Sequence, residues 1–152
     1  MSSAIKKAPR FNPQSAARSV ARKLALQALY RWQLNASPWQ DLMQEFANAE
    51  DMPKADAGYF RGIVSAVGEA TAQLDELLAQ WADRSPASFD PIERAVLWIG
   101  VYELRQNLAI PYRVVISEAV SLTRRFGATD GHKFVNAVLD RAARELRAAE
   151  LP

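Results

Sequence analysis

The sequence predicts an all-α protein, a single-domain compact bundle of about six to seven helices. From Ser15 onward, apolar side chains recur at three- to four-residue steps, the spacing that places them on one face of a helix. No useful stretch alternates apolar and polar residues as strands do, and no repeat unit is present. With 152 residues, 49% hydrophobic and 24% charged, the chain can close one ordinary hydrophobic core.

Two parts of the chain differ in composition. Residues 1–14 contain two serines, two prolines and few apolar side chains, so we expect a flexible basic tail there. A helical domain follows at residues 15–148. Its first helix occupies the Ala- and Leu-rich segment 15–35, whose apolar face extends from Ala17 to Trp32.

Capping signals mark the starts of two later helices. Ser37 and Asp90 are each followed by a proline, and Gln40 and Glu93 stand three residues beyond them. This arrangement is typical of a helix N-terminus, because the side chain of the cap accepts a hydrogen bond from a free backbone N–H.

Helical periodicity predicts the other helices and the centre of the bundle. The clearest helix contains Gly62 and Gly68, which indicate close packing of a neighbour. The helix behind Asp90 is apolar on most sides, so we expect it at the centre. These two helices are predicted at residues 59–81 and 91–104, and two further helices are predicted at 111–126 and 131–142.

Composition excludes most enzyme chemistries. The chain has no cysteine and one histidine, His132, so it has no thiol zinc site, no multi-histidine metal centre and no Cys/His pair. The motifs G-x-S-x-G, G-x-x-x-x-G-K-[ST] and G-x-G-x-x-G are absent. We therefore predict no enzyme activity, no metal and no cofactor.

The same composition indicates where the chain works. The apolar run at 95–102 is far too short to cross a bilayer, and no apolar stretch follows the first lysines as a secretory signal would. Together with the absence of cysteine, this favours the cytoplasm and no membrane partner.

Charge is distributed unevenly along the chain. Residues 1–40 carry seven bases and no acid, residues 41–103 carry four bases and twelve acids, and residues 104–152 carry eight bases and five acids. A basic segment of this length usually faces nucleic acid or an anionic surface. The acidic middle is compatible with chance variation between helix surfaces.

The first helix offers a cationic ridge. Arg18 and Arg22 are four residues apart and share one face, with Lys23 at its edge. The forked donors of arginine suit phosphate oxygens, so this ridge is a candidate nucleic-acid contact. A plain solvated stripe is the alternative interpretation.

The start of the last helix offers a second candidate. Asp130, Lys133, Phe134 and Asn136 lie within about two turns of a helix N-terminus, where free backbone N–H groups favour an anion. Phe134 can stack on an unpaired base and Asn136 can contact a base edge. Phe134 can equally be a core residue, and His132 is more easily explained as a surface or capping residue than as a catalyst.

Five segments together carry a family resemblance. They are ARKLALQALYRWQLN at 21–35, YFRGIV at 59–64, IERAVLWIGVYEL at 92–104, IPYRVVISEAVSL at 110–122 and FGATDGHKFVNAVLD at 126–140. In order and spacing they resemble the NusB family of bacterial transcription antitermination factors, over about residues 15–145. The resemblance implies an all-helical RNA-binding protein that pairs with the ribosomal protein NusE. The pair binds single-stranded boxA RNA in ribosomal RNA leader transcripts and helps the RNA polymerase antitermination complex resist termination.

The resemblance also implies roles for individual residues. Arg18 and Arg22 fall in the arginine-rich start of the first helix, which contacts RNA in the family, and Tyr30 lies in the matching ALY triplet. The family's second RNA-contacting element matches Asp130, Lys133, Phe134 and Asn136. Lys23, at the edge of the cationic ridge, joins them as a candidate RNA contact. Glu93 corresponds to an acid on the NusE-facing surface, and Arg94, Leu97 and Glu103 are its candidate neighbours. We expect the two RNA elements, represented by Arg22 and Lys133, to form one shared cradle for the RNA.

Two other functions stay open at this stage. Similar helical modules form the N-terminal part of ribosomal RNA cytosine methyltransferases, although this chain has no strand-rich cofactor domain and no nucleophilic cysteine. A helical adaptor that binds only protein is the other alternative. A helix-turn-helix protein is disfavoured, because no compact pair of helices presents a polar recognition face.

Overall fold

The computed structural model describes residues 12–151, and these contain six α-helices and no strand, which confirms the all-α prediction. Three single-turn 3₁₀ segments lie at Met52–Lys54, Pro86–Ser88 and Ala148–Glu150. The α-helices are α1 (Pro13–Leu34), α2 (Trp39–Phe46), α3 (Ala57–Ala82), α4 (Pro91–Gln106), α5 (Tyr112–Phe126) and α6 (Gly131–Leu146).

Helix α1 begins two residues before the predicted start. The side chain of Asn12 accepts hydrogen bonds from the N–H groups of Gln14 (3.0 Å) and Ser15 (3.2 Å), and Pro13 occupies the first helical position. Residues 13 and 14, which were predicted as part of the tail, are therefore helical, and residues 1–11 of the predicted tail lie outside the described part of the chain.

The two predicted caps behave differently. Asp90 caps α4 as expected, since its Oδ1 accepts from the N–H groups of Ile92 (2.9 Å) and Glu93 (3.2 Å). Ser37 does not cap α2, because Pro38 is itself the residue before the first turn and no side chain caps this helix.

Helix α4 lies at the centre of the bundle, as its composition predicts. It packs against α1, α3, α5 and α6. Of its sixteen residues, ten are buried, including Trp98 and Leu104. Helix α1 lies antiparallel to it, since Arg22 pairs with Glu103 near the end of α4 while Gln33 donates to the carbonyl of Pro91 at its start (2.8 Å).

Close packing is also confirmed at Gly68, one of the two glycines of α3 for which it was predicted. The indole ring of Trp39 lies so near Gly68 that a Cβ there would overlap it. Helix α2 therefore docks on α3 through this contact. Helix α3 bends at Ala70, whose φ of −119° and ψ of 19° depart from helical values.

Candidate nucleic-acid interface

Arg22 is buried, and this corrects its assignment as an RNA contact. Only 3% of the residue is exposed. Its Nη2 lies 2.8 Å from Glu103 Oε2, its Nε lies 3.0 Å from both oxygens of that carboxylate, and its Nη1 lies 3.1 Å from Glu118 Oε1. The donors are consumed inside the protein, so the side chain offers no free fork to a phosphate.

The surroundings of Arg22 fix its charge. Burial alone would lower the pKa of Arg22, but the hydrogen bonds and charge of Glu103 raise it above its ordinary value. Tyr59 also donates to Glu103, and burial together with that carboxylate raises the pKa of the Tyr59 hydroxyl. We call Arg22, Tyr59, Glu103 and Glu118 the interhelical ion cluster, because each comes from a different helix.

Arg18 and Lys23 stay near the surface of α1. The guanidinium of Arg18 lies 5.4 Å from the ring centroid of Tyr59, in a cation–π contact. Lys23 forms an ion pair with Asp51, and the hydrogen bond and charge of Lys23 lower the pKa of that carboxyl. Both residues are partly buried; Arg18 lies one turn before Arg22, and Lys23 directly follows it.

Tyr30 lies on a different side of α1. It is 36% exposed and lines a groove of about 550 Å³ between α1, α2, α4 and α5. The groove walls also include Leu34, Ile92 and Phe126, and Leu34 is 58% exposed. Exposed apolar side chains that border one groove are typical of a protein-binding surface.

The start of α6 combines exposed and packed residues. Asp130 adopts a left-handed conformation (φ 65°), and its Oδ1 lies 3.3 Å from Lys133 Nζ on the surface. Phe134 packs edge-on against Phe89 at 5.2 Å between centroids, and the guanidinium of Arg84 covers its ring at 4.5 Å. One face of Phe134 is therefore already occupied by protein groups.

Two of the four predicted partner contacts are interior residues, which corrects their assignment. Leu97 is 0% exposed in the core and Glu103 is 1% exposed in the interhelical ion cluster. Both point inward because α4 is covered on most sides by other helices. Arg94 remains half-buried, with its Nη2 2.7 Å from Asp75 Oδ2.

Glu93 is a third predicted partner contact that the fold buries, although less completely than Leu97 and Glu103. It is 7% exposed, and it lies so close to Gly131 at the start of α6 that a Cβ there would contact its carboxylate. Burial, with a smaller contribution from Asp90, raises the pKa of Glu93. A larger residue at position 131 would therefore require the Glu93 side chain to shift.

The predicted single cradle does not form as expected. Arg22 meets α4 at Glu103, whereas Gly131, two residues before Lys133, meets α4 at Glu93. Ten residues of helix separate these two positions, about 15 Å along the axis of α4. The basic part of α1 and the start of α6 therefore lie toward different ends of the central helix.

The sequence analysis overlooked the arginines of α5. Arg113, Arg124 and Arg125 belong to this helix, and Arg124 lines a groove together with Asn136 of α6. The composition of α5 could have indicated a basic surface, because this helix has three arginines and one acid, Glu118.

Other sites are absent from the described residues. Between residues 12 and 151, no group of three or more histidine, aspartate or glutamate side chains could hold a metal ion. Among those same residues, no helix has the length and apolar character needed to cross a membrane.

Comparison with known proteins decides the family. The sequence matches the NusB family over residues 19–144. It is 46% identical to the transcription antitermination protein NusB of Hydrogenovibrio crunogenus over 133 residues, which cover 88% of this chain and 83% of the relative. This chain belongs to the NusB family. The family consists of transcription antitermination factors and not of enzymes. This confirms the prediction of an antitermination factor and the prediction of no enzyme activity.

Solved NusB structures share the fold. NusB of T. maritima is 26% identical, with a TM-score of 0.75 and coverage of 92% of this chain and 94% of that one. A structure of antitermination factors NusB and NusE in complex with dsRNA is 23% identical, with a TM-score of 0.73 and coverage of 84% and 96%. At 23% identity, the similarity to this second structure shows a shared fold and nothing more.

Proposed function

We propose that this protein binds single-stranded boxA-type RNA in ribosomal RNA leader transcripts together with the ribosomal protein NusE. The complex then helps RNA polymerase resist termination, and it acts in the cytoplasm. Membership in the NusB family carries this proposal. Support comes from a protein of the same fold that was solved with NusE and dsRNA, and from the basic surface described above.

The RNA-contacting residues of the proposal are those that the fold leaves accessible. Arg18 and Lys23 supply positive charge on α1, and Lys133 with Asn136 supplies donors on α6. Tyr30, Asp130 and the free edge of Phe134 complete the proposed set.

The protein partner is proposed to occupy the groove beside Tyr30. Ile92 lines this groove and is adjacent to Glu93, so this predicted NusE contact borders the exposed apolar side chains of α1. Arg31 on the wall of this groove pairs with Glu45, so most of the groove surface offered to a partner is apolar. Arg94 stays in the proposal as a neighbour of this surface.

An RNA titration tests the proposal. A labelled single-stranded boxA RNA is titrated with the full chain, with and without NusE, and a duplex DNA of equal length serves as competitor. We expect weak binding by the chain alone and tighter binding with NusE, because the partner adds contacts to the same RNA. Arg18→Ala should weaken RNA binding several-fold. The matched variant Arg61→Ala, which replaces an exposed arginine of α3, should leave the affinity unchanged.

The adaptor alternative has a distinct result in the same experiment. Binding of NusE without any binding of RNA, at low salt, would overturn the RNA part of the proposal and favour a protein-only adaptor. Equal affinity for the RNA and for the duplex DNA would overturn the single-strand preference.

A further inference from the structure

Helix α5 lies between the basic residues of α1 and those at the start of α6. It forms one wall of a groove on each of its two sides. The α1–α5 groove, about 220 Å³, has Ser19 and Lys23 on one side and Ser121 and Arg125 on the other. The α5–α6 groove, about 410 Å³, has Ser121 and Arg124 facing Asn136. Ser121 lines both grooves, so the C-terminal half of α5 is the ridge between them.

The register of α5 directs its two consecutive arginines to opposite sides of this ridge. Successive residues of a helix point about 100° apart. Arg124 therefore lines the α5–α6 groove while Arg125 lines the α1–α5 groove, one turn beyond Ser121. The ridge thus presents a cation to each groove.

These arginines are not neutralised by acids in the described part of the chain. Ion pairs between residues 12 and 151 involve Arg22, Arg31, Arg94, Arg144 and Arg147 but none of the arginines of α5. Arg125 instead covers the ring of Phe126 at 4.8 Å, and Arg113 donates to the hydroxyl of Tyr112.

The single acid of α5 is already engaged. Glu118 Oε1 accepts hydrogen bonds from Ser19 (2.7 Å) and from Arg22 (3.1 Å), and it is the one carboxylate on the wall of the α1–α5 groove. Among the residues that the structure describes, no carboxylate lines the α5–α6 groove. The ridge therefore keeps a net positive charge.

The pKa of the Asp51 carboxyl is lowered by the positive charge around the α1–α5 groove. The pKa of Asp51 is lowered first by the hydrogen bond and charge of Lys23 and, to a smaller extent, by the charges of Lys54 and Arg125. Three cations from three segments thus surround one acid at the edge of the α1–α5 groove. An excess of positive charge on a surface attracts a polyanion.

We propose that the RNA strand crosses α5, with Arg125 binding a phosphate in the α1–α5 groove and Arg124 binding another in the α5–α6 groove. This inference rests on the proposed function and supplies the connection between Lys23 and Asn136. The hydroxyls of Ser121 and Ser117 and the amide of Asn136 add donors beside the guanidinium groups. Such donors suit a sugar-phosphate backbone, which requires no base-specific contact.

The test removes the two cations from the ridge and follows the salt dependence of RNA binding. The double variant Arg124→Ala/Arg125→Ala is compared with wild type in complex with NusE, using labelled single-stranded boxA RNA. We expect affinity to fall about tenfold at low salt, and the slope of log K against log salt to decrease by about 1.4, since each single-strand phosphate contact contributes about 0.7.

Two matched variants serve as controls. Arg61→Ala/Arg144→Ala removes the same charge from α3 and from the C-terminal half of α6, and it should leave both affinity and slope close to wild type. Arg124→Lys/Arg125→Lys keeps the charges and should retain most of the slope. All the replaced side chains are exposed, so circular dichroism and thermal unfolding should show the same fold in each variant.

The possible results separate this inference from the function on which it rests. If wild type with NusE does not bind the RNA, the proposed function fails, and the α5 path fails with it. If wild type binds and the double variant matches its charge control, only the α5 path is overturned. Loss of NusE binding with unchanged RNA affinity of the chain alone would show that the ridge contacts protein instead, which also overturns the inference.

Discussion

The guanidinium of Arg22 and the carboxylate of Glu103 form a buried ion pair, with Nη2 2.8 Å from Oε2 and 3% and 1% of the two residues exposed. This contact fixes α1 against the central helix α4. Tyr59 of α3 and Glu118 of α5 add hydrogen bonds to the same two side chains. One polar cluster therefore connects four of the six helices, and it places Arg18 and Lys23 at the surface on either side of Arg22.

Loss of the Arg22 side chain should destabilise the fold strongly. Arg22→Met leaves Glu103 as a buried charge without its cation, so we expect the free energy of unfolding to fall by about 3–5 kcal/mol. Urea denaturation measures this change. Arg22→Met/Glu103→Gln removes the stranded charge as well and should recover part of the loss. A loss below about 1 kcal/mol for the single variant would contradict the structural role of Arg22.

Arg147 provides a second buried cation whose removal should be costly. It is 3% exposed and donates to the carbonyls of Glu103, Leu104, Asn107 and Ile110, which lie at and just beyond the end of α4. In Arg147→Met these carbonyls lose their donors, so we expect a loss of about 2–5 kcal/mol in denaturant unfolding.

The neighbouring Arg144 is the matched control for Arg147. It lies three residues earlier on α6 and pairs with Asp140 on the surface. Arg144→Met should change the unfolding midpoint only slightly, because exposed ion pairs contribute little to stability. Equal effects of the two substitutions would show that the carbonyl contacts of Arg147 are unimportant.

Two glycines of α3 should respond to alanine with opposite signs. A Cβ at Gly68 would overlap the ring of Trp39, so Gly68→Ala should displace α2 and cost about 1–3 kcal/mol. A Cβ at Gly62 meets only the hydroxyl of Tyr102, at 3.6 Å, so Gly62→Ala should stabilise the helix by up to about 1 kcal/mol. Thermal unfolding of the two variants measures both changes. A Gly68→Ala variant that is more stable than wild type would contradict the close packing of Trp39 on Gly68.

Glu93 should make stability depend on pH. Because its pKa is raised in the folded state, the native protein holds the proton more tightly than the unfolded chain does. Stability is therefore lost as pH rises through the interval between the unfolded and the folded pKa. We expect Glu93→Gln to be more stable than wild type at pH 7, and the difference to disappear below the ordinary glutamate pKa of about 4.3.

An exposed acid gives the comparison for Glu93. Glu76→Gln on α3 removes the same charge at the surface and should show no such pH-dependent gain. Urea unfolding of both variants at the two pH values is the measurement. A Glu93→Gln variant that is less stable than wild type at pH 7 would indicate that the carboxylate charge is itself required.

The sequence predicted the fold and its family because these depend on local patterns. Three- to four-residue apolar spacing located the helices, and the apolar character of residues 91–104 correctly placed α4 at the centre. Asp90 was identified as a cap because its partners, the N–H groups of Ile92 and Glu93, lie within three residues of it. Motif order along the chain was sufficient to indicate the NusB family.

The sequence could not decide which charged residues face solvent. Arg18 and Arg22 share one face by helical spacing, yet only Arg22 is buried, because Glu103 and Tyr59 approach it from α4 and α3. Leu97 was predicted at the partner surface as a neighbour of Glu93, yet it lies in the core. A helix period specifies which residues share a face but not which neighbouring helix covers it.

The amino-acid sequence alone therefore determined the helices, their approximate bounds, the family and the excess of positive charge near the first helix. Only the tertiary structure decided that Arg22 and Glu103 neutralise each other inside the bundle, that Arg22 and Lys133 meet α4 toward different ends, and that α5 lies between the two basic regions. The physical reason is that helix formation depends on residues within a few positions of one another, whereas burial and ion pairing depend on partners that are 81 and 96 positions away along the chain.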